Sequence, residues 1–107
     1  MEWITAFALT LGIEYVVVSL FLKDWHKAIV PVIIVNVVTH PLVWFVWPSL
    51  LPLPYWIIGA ELFAFLAETV MYRYLLKIDW EKAVIFSLAA NMASYLAGEL
   101  IYAAGFA

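Results

Sequence analysis

The sequence predicts an all-α integral membrane protein of four transmembrane helices, arranged as a tandem repeat of two helical hairpins with both termini on the outer side. Three observations predict it: a composition too apolar for water, four apolar stretches of bilayer length, and a polar pattern that returns in the second half. Of 107 residues 68% are hydrophobic and 12% charged, and the mean hydropathy is +1.05. Soluble domains run about 45–50% apolar and about 25% charged. A bilayer requires roughly 20 apolar residues per spanning helix, and the chain divides into four such stretches, about Trp3–Leu22, Ala28–Trp47, Tyr55–Leu76 and Ala83–Phe106. They leave no length for a separate soluble domain. The expectation is therefore one membrane domain over 1–107, with repeat 1 at about 3–47 and repeat 2 at about 55–106.

The first stretch has no basic leader and no small-residue cleavage site, so it reads as a permanent span. Orientation follows from the lysines. Lys23 and Lys27 lie in the first connection and Lys77 and Lys82 in the third, whereas the Pro48–Pro54 connection carries no basic residue. The positive-inside rule makes loops 1 and 3 cytoplasmic in a cell membrane. Trp25 and Trp80 are expected in those loops, and Trp3, Trp44, Trp47, Tyr55 and Trp56 gather at the opposite interface. Arg73 lies about one turn inside Lys77, within snorkelling reach of the headgroups. Pro31 falls near the start of the second span and is given no role. Pro41 removes a backbone hydrogen bond deeper in and predicts a kink.

The repeat is read from residues. Glu14 through Ala28 aligns with Glu68 through Ala83 after one inserted residue in the second loop, and Asn36-Val-Val-Thr39 aligns with Asn91-Met-Ala-Ser94. Two copies of the same topology imply an axis along the membrane normal. Glu14 and Glu68 stand nine residues before a loop lysine, and Asn36 and Asn91 nine after one. At 1.5 Å per residue that is roughly 13–14 Å from the interface, near the middle of the hydrocarbon layer. His40, Glu61, Tyr95 and Glu99 form a second polar layer further outward.

An acid at midplane depth is expensive and faces the bundle interior, which makes it a functional candidate by default. Glu14, Glu61, Glu68 and Glu99 have only Arg73 and His40 as nearby basic partners. Either several carboxyls carry protons or a bound cation neutralises them. The expected binding site is therefore Glu14, Asn36, Glu68 and Asn91, with His40, Glu61, Tyr95 and Glu99 along the outer path. Its oxygen ligands favour hard cations or protons. The same side chains also join membrane helices by hydrogen bonds worth about 0.6–2 kcal/mol, the alternative role for each. Ser94-xxx-Gly98 and Ala93-xxx-Ala97 predict close helix packing.

The sequence has no zinc helix, nucleophile elbow or phosphate loop. With no cysteine, thiolate metal sites and disulfides are excluded, and a net charge of −3 gives no support to nucleic-acid binding. No cofactor and no protein-bound metal are expected. Glu68-Thr-Val-Met-Tyr-Arg73 with Asn91-xxx-Tyr95, and Asn36-xxx-His40 in the first half, resembles the Glu-Glu-xxx-Arg and Phe-xxx-His pattern of the CAAX-type intramembrane proteases and their bacteriocin-immunity relatives. That resemblance implies a Glu-activated water served by His40 and Asn36. Thr69 replaces the second glutamate of the pattern, Tyr95 stands where its histidine should be, and four spans are fewer than that family uses. In architecture the chain is also similar to the small multidrug resistance exporters, which carry one embedded glutamate in the first helix much as Glu14 sits here.

Three functions follow as expectations: a cation or proton-coupled small-solute transporter or channel, a non-catalytic subunit or assembly factor of a larger membrane complex, and an intramembrane hydrolase. Four helices enclose little space, so a transport path calls for a homodimer or other membrane subunits, with the lipid bilayer as the remaining partner.

Overall fold

The computed structural model describes residues 3–105 and is all-helical. The first helix, α1, covers Trp3–Leu22, matching the predicted span. Helix α2 covers Trp25–Pro41 and continues through a π-helical turn, Leu42–Val46, into a short α3, Trp47–Leu50. Helices α4, Tyr55–Leu75, and α5, Trp80–Ala103, complete the chain. Four helical runs, with α2 to α3 counted as one, are long and apolar enough to cross a membrane. The longest dimension of the molecule is 36 Å, enough to cross a hydrocarbon core about 30 Å thick.

Helix ends differ from the sequence expectation where capping decides them. Trp25 and Trp80 open helices instead of sitting in loops, because an aspartate stands just before each. Asp24 accepts hydrogen bonds from the backbone N–H groups of His26 at 3.1 Å and Lys27 at 3.0 Å. Asp79 accepts one from the N–H of Lys82 at 2.8 Å. Such a cap satisfies first-turn donors and extends the helix back toward the lysines. Both preceding lysines take the left-handed conformation that ends a helix, with φ of 58° at Lys23 and 56° at Lys77. Phe106, the predicted end of the last span, lies outside the described residues.

Pro41 does not break the second span. The helix absorbs the missing N–H by widening for one turn, so that the N–H of Trp47 reaches back to the carbonyl of Leu42, five residues earlier. Pro31 lies nearly two turns inside α2, since that helix starts earlier than expected.

Packing neighbours are α1 with α2, α2 with α4, α4 with α5 and α5 with α1, a closed ring of alternating helices. Buried positions follow helical spacing: Ala28, Pro31, Val32, Val35, Asn36, Thr39 and His40 on α2, and Ala60, Ala64, Glu68 and Tyr72 along α4. Some aligned positions differ in burial, as buried His40 and exposed Tyr95 do, but several are buried in both halves. Ala6 and Ala60, Glu14 and Glu68, Val18 and Tyr72, Ala28 and Ala83, Val32 and Ser87, and Val35 and Ala90 are such pairs. The outer faces expose large apolar side chains such as Leu20, Val30, Phe45, Leu62 and Leu100. An exterior so rich in large apolar side chains suits lipid and is rare on soluble monomers.

At one point the bundle is tight. A Cβ added to Gly59 would lie 2.7 Å from Cζ3 of the Trp47 ring, which crosses the start of α4. Gly59→Ala is expected to lower stability by about 1–3 kcal/mol through overpacking. Thermal unfolding in mild detergent, compared with wild type, is the measurement; an unchanged midpoint would mean that the ring moves aside freely.

Candidate functional site: an acidic cavity ending on a carboxyl pair

The lysine half of the bundle is packed with apolar side chains. Val18, Ala28, Val32, Val35, Tyr72, Phe86 and Ala90 form its core, with Leu11, Tyr15, Val17, Leu22, Met71, Leu76 and Ile78 packed around them. The other half, toward the Pro48–Pro54 connection, holds a cavity of about 520 Å³. The two regions meet at Glu14 and Glu68.

These two glutamates are 1% and 2% exposed, and their carboxyls lie within hydrogen-bonding reach of each other across the bundle. Each has an asparagine beside it from the neighbouring helix. Asn36 Nδ2 donates to Glu14 Oε2 at 2.8 Å and to the carbonyl of Val32 at 2.9 Å. Asn91 adjoins Glu68, while its Nδ2 donates to the carbonyl of Ser87 at 2.8 Å. Both asparagines therefore return a bond to the carbonyl four residues earlier, which fixes the side chain along its own helix. Tyr72 donates its hydroxyl to Glu14 Oε2 at 3.4 Å, a long bond. Glu68 Oε1 is buried with no donor. An orphaned carboxyl oxygen beside a second carboxyl requires a proton or a cation between the two, because like charges in contact do not both persist.

All eight residues predicted for the site line this one cavity: Glu14, Asn36, Glu68 and Asn91 at its inner end, and His40, Glu61, Tyr95 and Glu99 outward. Glu61 is half-buried two turns from Glu68, whereas Tyr95 and Glu99 are exposed. His40 is 8% exposed and sits among aromatic rings, with centroids 5.2 Å from Phe7, 6.0 Å from Trp44 and 6.2 Å from Trp3. Its Nδ1 is buried without a partner. Among the described residues no lysine or arginine lines the cavity. Among the described residues no three His, Asp or Glu side chains converge to hold a metal ion.

Three features escaped the sequence reading. Tyr72, fully buried in the apolar core, reaches Glu14 with its hydroxyl; its place one turn after Glu68 was the available signal. Trp44 and Trp56 line the cavity, although near the interface they read as anchors. The Ser94-xxx-Gly98 face was expected to pack against a helix and instead faces the cavity. Among the described residues, a Cβ at Gly98 would meet nothing within 4 Å beyond its chain neighbours and its own helix backbone.

The residues of the protease resemblance divide. Glu68, Asn36, His40, Asn91 and Tyr95 line the cavity. Arg73 does not, since its guanidinium lies 5.4 Å from the Tyr74 ring centroid and 5.6 Å from that of Trp80 at the lysine end. Thr69 spends its hydroxyl on the carbonyl of Phe65 at 2.7 Å. No protein-family model matches the chain, and neither a curated protein nor a solved structure matches it significantly. What the fold and site define is a class: a four-helix bundle of membrane-spanning length around an acidic internal cavity.

Proposed function

We propose that the protein is a multi-pass transport or channel protein of the cell membrane, moving a cation or a proton-coupled small solute through a site on Glu14 and Glu68. The observation that carries this reading is a cavity that gathers all eight predicted polar residues and has two buried carboxyls at its inner end, with an apolar core beyond them. A site reached from one side and sealed from the other is what alternating access requires of one of its states. The paired Glu and Asn residues, the matched buried positions and the two left-handed lysines support a tandem repeat with its axis along the membrane normal. By its lysines the cavity opens outward, and loops 1 and 3 are cytoplasmic. A rocking motion of one hairpin against the other needs a partner surface, so the chain works as a homo-oligomer or with other membrane subunits.

The test is proton and cation flux into liposomes carrying purified protein, wild type against the Glu14→Gln/Glu68→Gln double variant. Glutamine keeps the shape and hydrogen-bonding capacity while removing the titratable oxygens, so the variant is expected to fold and to lose flux to background. Equal flux in both proteins would overturn the assignment.

A second reading has its own observation. Glu14 accepts from Asn36 on α2 and Tyr72 on α4, and so ties three helices together. In a subunit or assembly factor that bridge would serve packing alone. The double variant then assembles normally, and neither it nor the wild type moves ions.

A further inference from the structure

The outer surface between α4 and α5 carries polar groups that lipid does not satisfy. A groove of about 380 Å³ runs there, with Phe65, Leu88, Met92 and Leu96 as its apolar lining. Leu88, Met92 and Leu96 recur every fourth residue and are exposed, forming a ridge where lipid would lie. Glu61, Asn91 and Tyr95 line the same groove and also line the acidic cavity, so the two hollows meet at a polar seam. Glu61 stands six residues, about 9 Å, inside the start of α4 at Tyr55. Acyl chains offer it no hydrogen bond, and an acid facing hydrocarbon costs up to about 2.5–3.5 kcal/mol.

Charge is unbalanced behind that seam. Four carboxyls line the cavity, at Glu14, Glu61, Glu68 and Glu99, against one basic side chain among the described residues, His40. His40 belongs to α2, packs among the rings of Phe7 and Trp44, and has no hydrogen-bond partner at Nδ1. Even a charged His40 leaves the acids in excess. Glu68 is 2% exposed, and its Oε1 has no donor. A second copy in the same orientation does not supply one. The five Lys and Arg residues, Lys23, Lys27, Arg73, Lys77 and Lys82, all belong to the lysine end. Arg73, on the same helix as Glu61, is twelve residues away from it, about 18 Å along the axis.

We propose that the α4–α5 groove seats a transmembrane helix of a different protein, one that carries a lysine or arginine at the depth of Glu61. The ridge of Leu88, Met92 and Leu96 packs against that helix, and the basic side chain crosses the seam onto Glu61. Embedded acids and bases pair with one another where helices meet, and the pairing removes the cost of leaving either one against hydrocarbon. Asn91 and Tyr95 flank the ion pair and supply further hydrogen bonds. The inference goes beyond the transport reading: it concerns the partner alone and holds equally for a subunit that moves no ion.

The experiment is resonance energy transfer in lipid vesicles between the protein, labelled through Ser49→Cys in a chain with no other cysteine, and synthetic transmembrane peptides. Each peptide is a leucine–alanine helix of about 20 residues with lysine pairs at both ends. They differ at one internal position about 9 Å from one end, which holds lysine, leucine or glutamate. Expected is saturable association of the internal-lysine peptide, at least tenfold tighter than the leucine peptide, with the glutamate peptide no better than leucine. Glu61→Gln is expected to abolish the preference for lysine. Glu81→Gln, which removes an acid at the lysine end, leaves it unchanged. Met92→Trp, which fills the groove from an exposed position, is expected to weaken the lysine peptide at least fivefold. Wild-type thermal unfolding midpoints show that the variants are folded. Equal affinity for the lysine and leucine peptides, a lysine preference that survives Glu61→Gln, or undiminished binding to folded Met92→Trp would overturn the proposal. Flux measured without peptide keeps the two readings apart: glutamate-dependent flux with no lysine preference removes this inference and leaves the transport reading, whereas lysine preference without flux does the reverse.

Discussion

Tyr72→Ala is expected to be the most damaging single substitution in the bundle, lowering stability by about 3–5 kcal/mol and converting the cavity into a leak. Tyr72 is fully buried, and its ring belongs to the apolar layer between the carboxyl pair and the lysine end, beside Val18 and Phe86. Helix association in lipid depends on close packing, so an emptied ring volume is lost contact with nothing to replace it. The void would also be continuous with the cavity above it, because the hydroxyl of Tyr72 already touches Glu14 at the cavity's inner end. Water entering there would lie within one or two turns of the lysine interface. Tyr72→Phe is the control: it keeps the ring and removes only the 3.4 Å hydrogen bond, a change expected to stay under about 1 kcal/mol. Denaturant unfolding of the purified proteins gives the first number, and passive proton leak of proteoliposomes the second. A Tyr72→Ala protein that is folded and as proton-tight as wild type would show that the barrier lies elsewhere.

The spans and the polar layer were legible in the sequence because both are set by terms that act locally. Apolar length alone fixes Trp3–Leu22, and nine-residue spacings from the lysines place Glu14, Asn36, Glu68 and Asn91 at one depth whatever the packing. Helix starts were less legible, since apolar length says nothing about Asp24 and Asp79, whose capping bonds carry the helices back to Trp25 and Trp80. Pro41 shows a different limit. Its missing donor was certain from sequence, but whether the chain kinks or widens depends on neighbours, and here it widens into a π turn. The small residues Ser94 and Gly98 are the sharpest case. A small side chain permits close approach, and the same smallness permits a cavity. Only the positions of the other helices distinguish the two outcomes.

Gly98→Trp makes use of that distinction and carries the second large expected effect. Gly98 lines the cavity on α5, and among the described residues no atom beyond its chain neighbours and its own helix backbone comes within 4 Å of where a Cβ would stand. An indole there has room to enter the cavity and stand in the path to Glu14 and Glu68. Flux is expected to fall at least tenfold. Stability is expected to hold or to rise, because replacing a helical glycine removes a penalty of roughly 0.5–1 kcal/mol in backbone entropy. Gly98→Ala separates the two contributions: it shares the stability gain, leaves most of the cavity empty, and is expected to keep most of the flux. The pair also divides the two functional readings. If Glu14, Asn36 and Tyr72 serve only to hold helices together, filling the empty space beside them harms nothing, and the tryptophan variant assembles and works as wild type does. A folded Gly98→Trp protein with undiminished flux would rule out the cavity as the path. Loss of flux at unchanged stability ties function to the open space itself, because packing alone makes no use of a cavity.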